Sequence, residues 1–78
     1  NSIKIYPVPS SNVLKIKGLK AHKLKEIQIY NSHGQLMLRY DNFKNIRDGL
    51  DISSLSPGLY NLIILHENVA IPATFIKK

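Results

Sequence analysis

Apolar residues alternate with polar ones at a spacing of two through much of this chain, and this pattern constrains the fold more than any other feature. Leu14 and Ile16 alternate with lysines, and Ile27 and Ile29 lie on either side of Gln28. Residues two apart lie on the same face of a β-strand, so each segment predicts a strand with one buried and one solvated face. The sequence therefore predicts an all-β domain.

Turn residues divide the chain into seven short predicted strands. Their apolar positions, in order, are Ile3 and Ile5; Leu14 and Ile16; Ile27 and Ile29; Leu36, Leu38 and Tyr40; Ile46, Leu50 and Ile52; residues 59–65; and Val69, Ile71, Ala73 and Phe75. Short strands with turns about every eight to twelve residues are typical of sandwiches. We therefore predict a small seven-stranded antiparallel β-sandwich of immunoglobulin-like type.

Glycine and polar residues mark the predicted turns. Residues 31–34 predict a hairpin between the third and fourth strands, in which Gly34 adopts a positive φ. Gly49 interrupts the fifth segment and suggests a bulge there. Glu67 and Asn68 predict a tight turn before the last strand.

The last two strands differ in their predicted surroundings. Residues 59–65 are nearly all apolar, which predicts a central strand covered on both faces. Pro72 has no N–H to donate and places the last strand at a sheet edge. The buried row of that strand is either the set that contains Phe75 or the opposite set, with Pro72 and Ile76.

The chain has 78 residues and no cysteine. A chain of this length forms one small domain with a thin margin of stability, which we assign to residues 1–78. It has no apolar run of the ~20 residues that span a bilayer, and no amino-terminal export signal. We therefore predict no transmembrane segment, and we expect the domain to be the end of a larger precursor whose signal peptide lies elsewhere.

The net charge of +6 is concentrated in one segment, which contains Lys15, Lys17, Lys20, Lys23, Lys25 and His22. A basic patch attracts phosphates or acidic polysaccharide, although a solvated strand face and loop explains it more simply. Proteins that bind single-stranded nucleic acid interleave aromatic residues with basic ones, and residues 13–25 contain none. We therefore do not predict nucleic acid as a partner.

The residues that could carry chemistry are scattered. The five carboxylates are Glu26, Asp41, Asp48, Asp51 and Glu67, and the three histidines are His22, His33 and His66. No pair of carboxylates has the spacing of an acid–base site, and no histidine has a second metal ligand nearby. We predict no catalytic residue, no cofactor and no metal site.

Four short motifs occur in order along the chain. They are Pro7-Val8-Pro9, the polar turn with Gly34, the element Leu55-x-x-Gly58-x-Tyr60, and the final Phe75-Ile76-Lys77-Lys78. In this order and at these separations they resemble the C-terminal sorting domains of type IX secretion cargo. The resemblance spans almost the whole chain.

The resemblance implies that the domain is a secretion signal and not an enzyme. It implies that the outer-membrane translocon recognises the domain, and it assigns this recognition to Pro7, Pro9, Gly34, Leu55, Gly58, Tyr60, Phe75, Ile76, Lys77 and Lys78. The implied partners are that translocon, a cell-surface sortase and the N-terminal cargo domain of the same precursor. The implied route passes through the periplasm to the cell surface or the medium.

Two departures from the family pattern affect the expected fate of the domain. Val8 stands where Asn is common, and residues 73–74 lack a usual lysine, so the tail is less basic. A domain that passes through the translocon and stays attached, docking its parent protein at the outer membrane, is therefore one alternative.

A second alternative is a carbohydrate-binding or spacer sandwich, in which only Phe43 and Tyr40 are free to stack on sugars. The corner at residues 55–60 also has a purely structural interpretation. Tyr60 is placed to hydrogen-bond back across the turn, while Leu55 plugs the end of the core.

Overall fold

The computed structural model describes residues 4–6, 11–18, 23–41 and 49–78, and within these ranges the chain forms seven strands. They are β1 (Lys4–Tyr6), β2 (Val13–Lys17), β3 (Leu24–Asn31), β4 (Leu36–Tyr40), β5 (Leu50–Asp51), β6 (Gly58–His66) and β7 (Val69–Lys77). All their pairings are antiparallel. The predicted all-β class and its seven strands are confirmed.

The strands form two sheets. One has the order β1-β2-β5 and the other the order β4-β3-β6-β7. Each hairpin predicted from a turn pairs its own two strands, since β3 pairs with β4 and β6 pairs with β7. The last strand lies at a sheet edge, as Pro72 predicted.

The core contains side chains from both sheets. Leu14 of β2 and Leu50 of β5 belong to the same buried cluster as the larger sheet's inward side chains, which are Leu24, Ile27, Ile29, Tyr60, Leu62, Ile64 and Phe75. Burying one such side chain fully stabilises the fold by about 1.5–3 kcal/mol. The alternation in β2 is as predicted, because Leu14 is buried while Lys15 and Lys17 are exposed.

A register shift in the β3–β4 pair turns the start of β4 outward. Ile29 pairs with Leu38, but Tyr30 pairs with Leu36, so Met37 is an extra residue on β4. A bulge of this kind changes the face on which the following side chains lie. Leu36 is consequently exposed, whereas Leu38 packs against the core.

The prediction that β6 is covered on both faces is wrong. β6 does lie centrally, between β3 and β7. Its side chains nevertheless alternate, with Leu62 and Ile64 fully buried and Leu59 53% exposed. An antiparallel sheet can pack one face on the core and leave the other to solvent. The apolar residues on the outward side of β6 therefore remain partly open.

Gly49 precedes β5 and does not form the predicted bulge within it. A Cβ on Gly49 would lie 2.5 Å from Cγ1 of Val13 and 2.9 Å from the carbonyl oxygen of Leu14. The missing side chain lets β5 approach β2 closely. Ile46, predicted in the same segment, lies outside the described residues.

No part of the described chain forms a helix with the length and hydrophobicity needed to cross a bilayer.

Candidate functional site

The turn between β3 and β4 is held by one side chain. Oδ1 of Asn31 accepts hydrogen bonds from the backbone N–H groups of His33, at 2.9 Å, and Gln35, at 3.0 Å. The N–H of Gly34 donates to the carbonyl of Asn31 at 3.0 Å. Gly34 has the predicted positive φ, at +79°, which a residue with a Cβ adopts only with strain. Its predicted place in this hairpin is confirmed.

The corner before β6 begins with a carboxylate-centred turn. Oδ1 of Asp51 accepts from the backbone N–H of Ser53 at 3.0 Å and from its hydroxyl at 2.6 Å. These bonds hold the pKa of Asp51 below its ordinary value. The N–H of Leu55 donates to the carbonyl of Ile52 at 3.1 Å, and Leu55 is buried at the end of the core. The predicted position of Leu55 is confirmed.

Tyr60 closes this corner. Its hydroxyl donates to the carbonyl oxygen of Ser56 at 2.6 Å, which is the bond predicted back across the turn. Gly58 lies between them with a φ of +154°, in a region that favours glycine. The ring of Tyr60 stacks on Phe75, with centroids 5.5 Å apart and an interplanar angle of 19°. The corner and the last strand are thus joined by one aromatic pair.

The end of β7 presents one terminal lysine to solvent where the sequence suggested two. Phe75 and Lys77 both lie in the inward row of β7, which decides between the two possible rows. Lys77 is 8% exposed and lies opposite Gly58, and its Nζ donates to the carbonyl of Lys78 at 3.3 Å. The aliphatic stem of a lysine can pack in this way while its ammonium reaches a polar partner. Lys78 remains exposed.

The predicted recognition residues gather at one end of the four-stranded sheet. Asn31, just before the turn that contains Gly34, pairs with Tyr60, and Tyr60 pairs with Phe75. Gly58 pairs with Lys77 two positions further along. Two predicted residues, Pro7 and Pro9, lie outside the described part of the chain.

The outward face of the β6–β7 pair is apolar except where Asn61 lies opposite Thr74. Leu59 lies opposite Ile76, and these side chains are 53% and 49% exposed. Further along, Ile63 lies opposite Pro72. This apolar strip was missed by sequence reasoning, although the spacing of Leu59 from the buried Tyr60 and Leu62 would have revealed it.

The outward face of the β3–β4 pair is polar. A guanidinium nitrogen of Arg39 lies 2.9 Å from Oε1 of Glu26, and the side-chain amide of Gln28 also donates to Glu26. The hydroxyl of Tyr30 donates to Oε1 of Gln28 at 2.7 Å. The pKa of Glu26 is lowered, first by the Gln28 hydrogen bond and then by Arg39. The polar groups of these four side chains therefore bind one another on this face.

Three of the described basic residues, Lys4, Lys15 and Lys17, lie on the three-stranded sheet. Lys4 of β1 lies directly opposite Lys17 of β2, and Lys15 lies opposite Tyr6. Lys23 differs, because its Nζ lies 3.1 Å from Oε1 of Glu67. The exposure of Lys15, Lys17 and Lys25 agrees with a solvated strand face. Lys20 and His22 are not among the described residues.

No metal-binding group is present in the described ranges, and Tyr6 is the most exposed aromatic side chain there. No three His, Cys, Asp or Glu side chains there are grouped to hold a metal ion. The prediction that Tyr40 is free to stack on sugars is wrong, because its side chain packs against the core and its hydroxyl donates to the carbonyl of Asp51 in the other sheet. Burial, and then the charge of Asp51, raise the pKa of Tyr40. Phe43 is outside the described residues.

Comparisons with curated proteins and with solved structures found no match to this chain. A family model does match it. That model describes the secretion system C-terminal sorting domain and aligns with residues 4–78, and the chain therefore belongs to this family of sorting domains.

Proposed function

We propose that this domain delivers a cargo, joined to it in one larger precursor, to the outer-membrane translocon of the type IX secretion system. The domain is a C-terminal sorting signal for type IX secretion, a system that exports proteins through the outer membrane toward the cell surface or the medium. The family match over residues 4–78 is the observation that supports the proposal most directly. The family is one of secretion signals, and the chain offers no positive sign of catalysis.

We assign two roles to the recognition residues. Leu55, Tyr60, Phe75 and Lys77 are buried, so they act by fixing the shape of the corner and of β7. Ile76 and Lys78 are exposed and are placed for contact with the translocon. Gly34 and Gly58 provide the backbone conformations of the two turns at the same sheet end. Pro7 and Pro9 complete the proposed set on the basis of sequence.

The proposed route passes through the periplasm, where the domain folds before it meets the translocon. A cell-surface sortase then cuts ahead of the domain and attaches the cargo to the surface, or the domain is retained and docks its parent protein there. Mass spectrometry of the mature surface protein distinguishes these fates. Peptides from residues 13–78 are missing if the domain is removed and present if it is retained.

The fold that we propose for residues 1–78 is a single sandwich of immunoglobulin-like type. The strand order supports it, because β1-β2-β5 and β3-β6-β7 correspond to the A-B-E and C-F-G strands of such sandwiches. In this assignment β4 pairs with β3 in the second sheet and not with β5 in the first. The bond from Tyr60 to Ser56 corresponds to the tyrosine corner of the same fold class.

Residues 1–78 should be fused behind a signal peptide and a fluorescent protein in a bacterium with a type IX system. The expected result is fluorescence at the surface or in the medium, lost when the translocon is disabled. Replacing Phe75 with Asp should abolish export by unfolding the corner, and removing Lys78 should weaken it while the domain stays folded. Periplasmic retention of the folded, unmodified fusion would contradict the proposal.

The carbohydrate-binding alternative requires a separate measurement. The isolated domain should show no specific binding to a panel of polysaccharides, since the hydroxyl of Tyr40 is engaged by the backbone of β5. Specific retention by one of them would favour a binding module over a sorting signal.

A further inference from the structure

We propose that an extended strand of the translocation machinery pairs with the open edge of β7 at residues 74–76. This inference rests on the proposed function, because it names how the same sheet end is recognised. Within the described residues, β7 pairs with β6 on one side and with no strand on the other. An unpaired edge presents a row of N–H and C=O groups that another chain can complete.

The direction of each backbone group in β7 follows from a bond in the preceding turn. The N–H of Glu67 donates to the carbonyl of Lys23 at 2.8 Å, so the backbone of Glu67 faces β3. Glu67 itself has a φ of +55° and belongs to the two-residue turn with Asn68. The residues that flank such a turn exchange backbone hydrogen bonds, so the backbone of His66 faces β7, where His66 pairs with Val69. The β6–β7 register then continues without a shift to Lys77.

Every second residue of β7 consequently faces the open edge. The backbone N–H and C=O groups point toward β6 at Val69, Ile71, Ala73, Phe75 and Lys77. The residues that face away from β6 are Ala70, Pro72, Thr74 and Ile76. This alternation agrees with the position of Pro72, because a proline is tolerated in a strand where its missing N–H would point away from the sheet.

Pro72 divides this edge into two unequal halves. It has no N–H, and its ring obstructs a strand that would pair across the middle of β7. Ala70 lies on one side, next to the turn at residues 67–68. Thr74 and Ile76 lie on the other side of Pro72, and their backbone N–H groups both point to the open edge. The half at residues 74–76 can therefore accept a short strand.

This half also lacks the charges that natural proteins place on exposed edges. Lys77 is next to it in sequence, but its side chain is buried on the inward face opposite Gly58. Thr74 is uncharged and exposed. Lys77 is thus turned away from the partner's path, and the exposed Lys78 lies beyond residues 74–76.

The side chains around this edge define the chemistry of the partner. Ile76 and the neighbouring Leu59 form an exposed apolar pair on the outward face. An added strand places alternate side chains over that face, so an apolar residue of the partner would cover Ile76. Lys78 is exposed beyond it, and the chain carries a net charge of +6. The partner strand should therefore combine an apolar side chain with an acidic one.

The test is export of the fluorescent fusion carrying Thr74→Pro, with Thr74→Val and Ala70→Pro as matched controls. Thr74→Pro removes an outward N–H and leaves the bonds between β7 and β6 in place. Losing one backbone bond together with the approach of the strand should reduce export about tenfold or more. Thr74→Val keeps the N–H, and Ala70→Pro alters the half that Pro72 already obstructs, so both should be exported normally.

Two further measurements keep the outcomes distinct. Thermal unfolding should show that Thr74→Pro stays folded; if it does not, Thr74→Lys replaces it, because that variant blocks the edge without a backbone change. In the complex of fusion and translocon, the amides of Thr74 and Ile76 should become protected from hydrogen exchange while that of Ala70 does not.

Normal export of the folded edge variants, or no added protection at residues 74–76, would overturn strand addition. The proposed function would still stand, provided that export required the translocon. Failure of the unmodified fusion to leave the periplasm would overturn the proposed function itself.

Discussion

The two halves of the outward face of the four-stranded sheet have different chemistry. On β3 and β4, Arg39, Glu26, Gln28 and Tyr30 bind one another in a continuous polar row. On β6 and β7 most of the opposed side chains are apolar, with Asn61 and Thr74 as the exception, and the pair of Leu59 and Ile76 is about half exposed. The first half satisfies the polar groups of its row internally and exposes apolar surface only at the start of β4, near Leu36, whereas the second exposes the opposed pair of Leu59 and Ile76. This difference is the reason why we propose the β6–β7 side as the surface for a partner.

The largest expected effect on stability distinguishes the inward face of β7 from its outward face. Phe75→Ala removes a fully buried ring that stacks on Tyr60 and should lower the free energy of unfolding by about 3–5 kcal/mol. Ile76→Ala, one residue away on the outward face, should change it by less than about 0.5 kcal/mol. Urea denaturation measures both. Similar losses from the two variants would show that the outward strip is already covered within the domain.

Two tyrosine substitutions compare how much the corner and the polar row contribute to the stability of the domain. Tyr60→Phe deletes the bond to the carbonyl of Ser56 and should lower the free energy of unfolding by about 0.5–1.5 kcal/mol. Tyr30→Phe deletes the bond to the Gln28 side chain, and its effect should be smaller because Tyr30 is half-buried whereas Tyr60 is buried. Thermal or urea unfolding measures both. A larger loss from Tyr30→Phe would make the polar row, and not the corner, the main hydrogen-bonded support of the sheet.

The two hairpin turns should differ as well. Asn31→Ala removes an acceptor of two backbone N–H groups and should lower the free energy of unfolding by about 0.5–1 kcal/mol. Asn68→Ala, in the exposed turn between β6 and β7, should change it by less than that. Both can be measured by urea denaturation. Equal effects would indicate that the β3–β4 turn is set by Gly34 and not by the Asn31 side chain.

The smallest effect at neutral pH concerns Glu26. Because its folded-state pKa lies below the ordinary value of 4.5, its contribution to stability is present above that value and is lost as pH falls through the lowered pKa. Glu26→Gln cannot ionise, so its melting temperature should fall less steeply than that of the original domain below about pH 5. Parallel curves for the two proteins would mean that the polar row does not favour the charged carboxylate.

The features that could be predicted from sequence are those set by local periodicity and turn chemistry. Spacing of two places Leu14 and Ile29 in the core, and Gly34 follows a polar turn between two apolar runs. The bond from Tyr60 is also local, because its partner Ser56 lies four residues away. Each of these depends on residues close together in the chain.

The features that were missed depend on residues far apart in sequence. Gly49 accommodates the close approach of β2, Tyr40 reaches Asp51 in the other sheet, and the exposure of Leu59 depends on what packs over β6. Periodicity gives two possible rows for β7 but does not say which faces the core. Once Phe75 is known to be buried, the burial of Lys77 follows from its place in the same row.

Within the described residues, the pairing of β2 with β5 has two residue pairs, Val13 with Asp51 and Leu14 with Leu50. β6, by comparison, pairs with β7 over nine positions. Local opening takes less free energy where fewer contacts must be broken. We therefore expect the amide of Leu50 to exchange with solvent well before that of Leu62, through a partial unfolding that releases β5 while the β3-β6-β7 sheet stays intact. A domain with this order of opening can lose the pairing of β5 and still keep the end of β7 that we propose as the recognition surface.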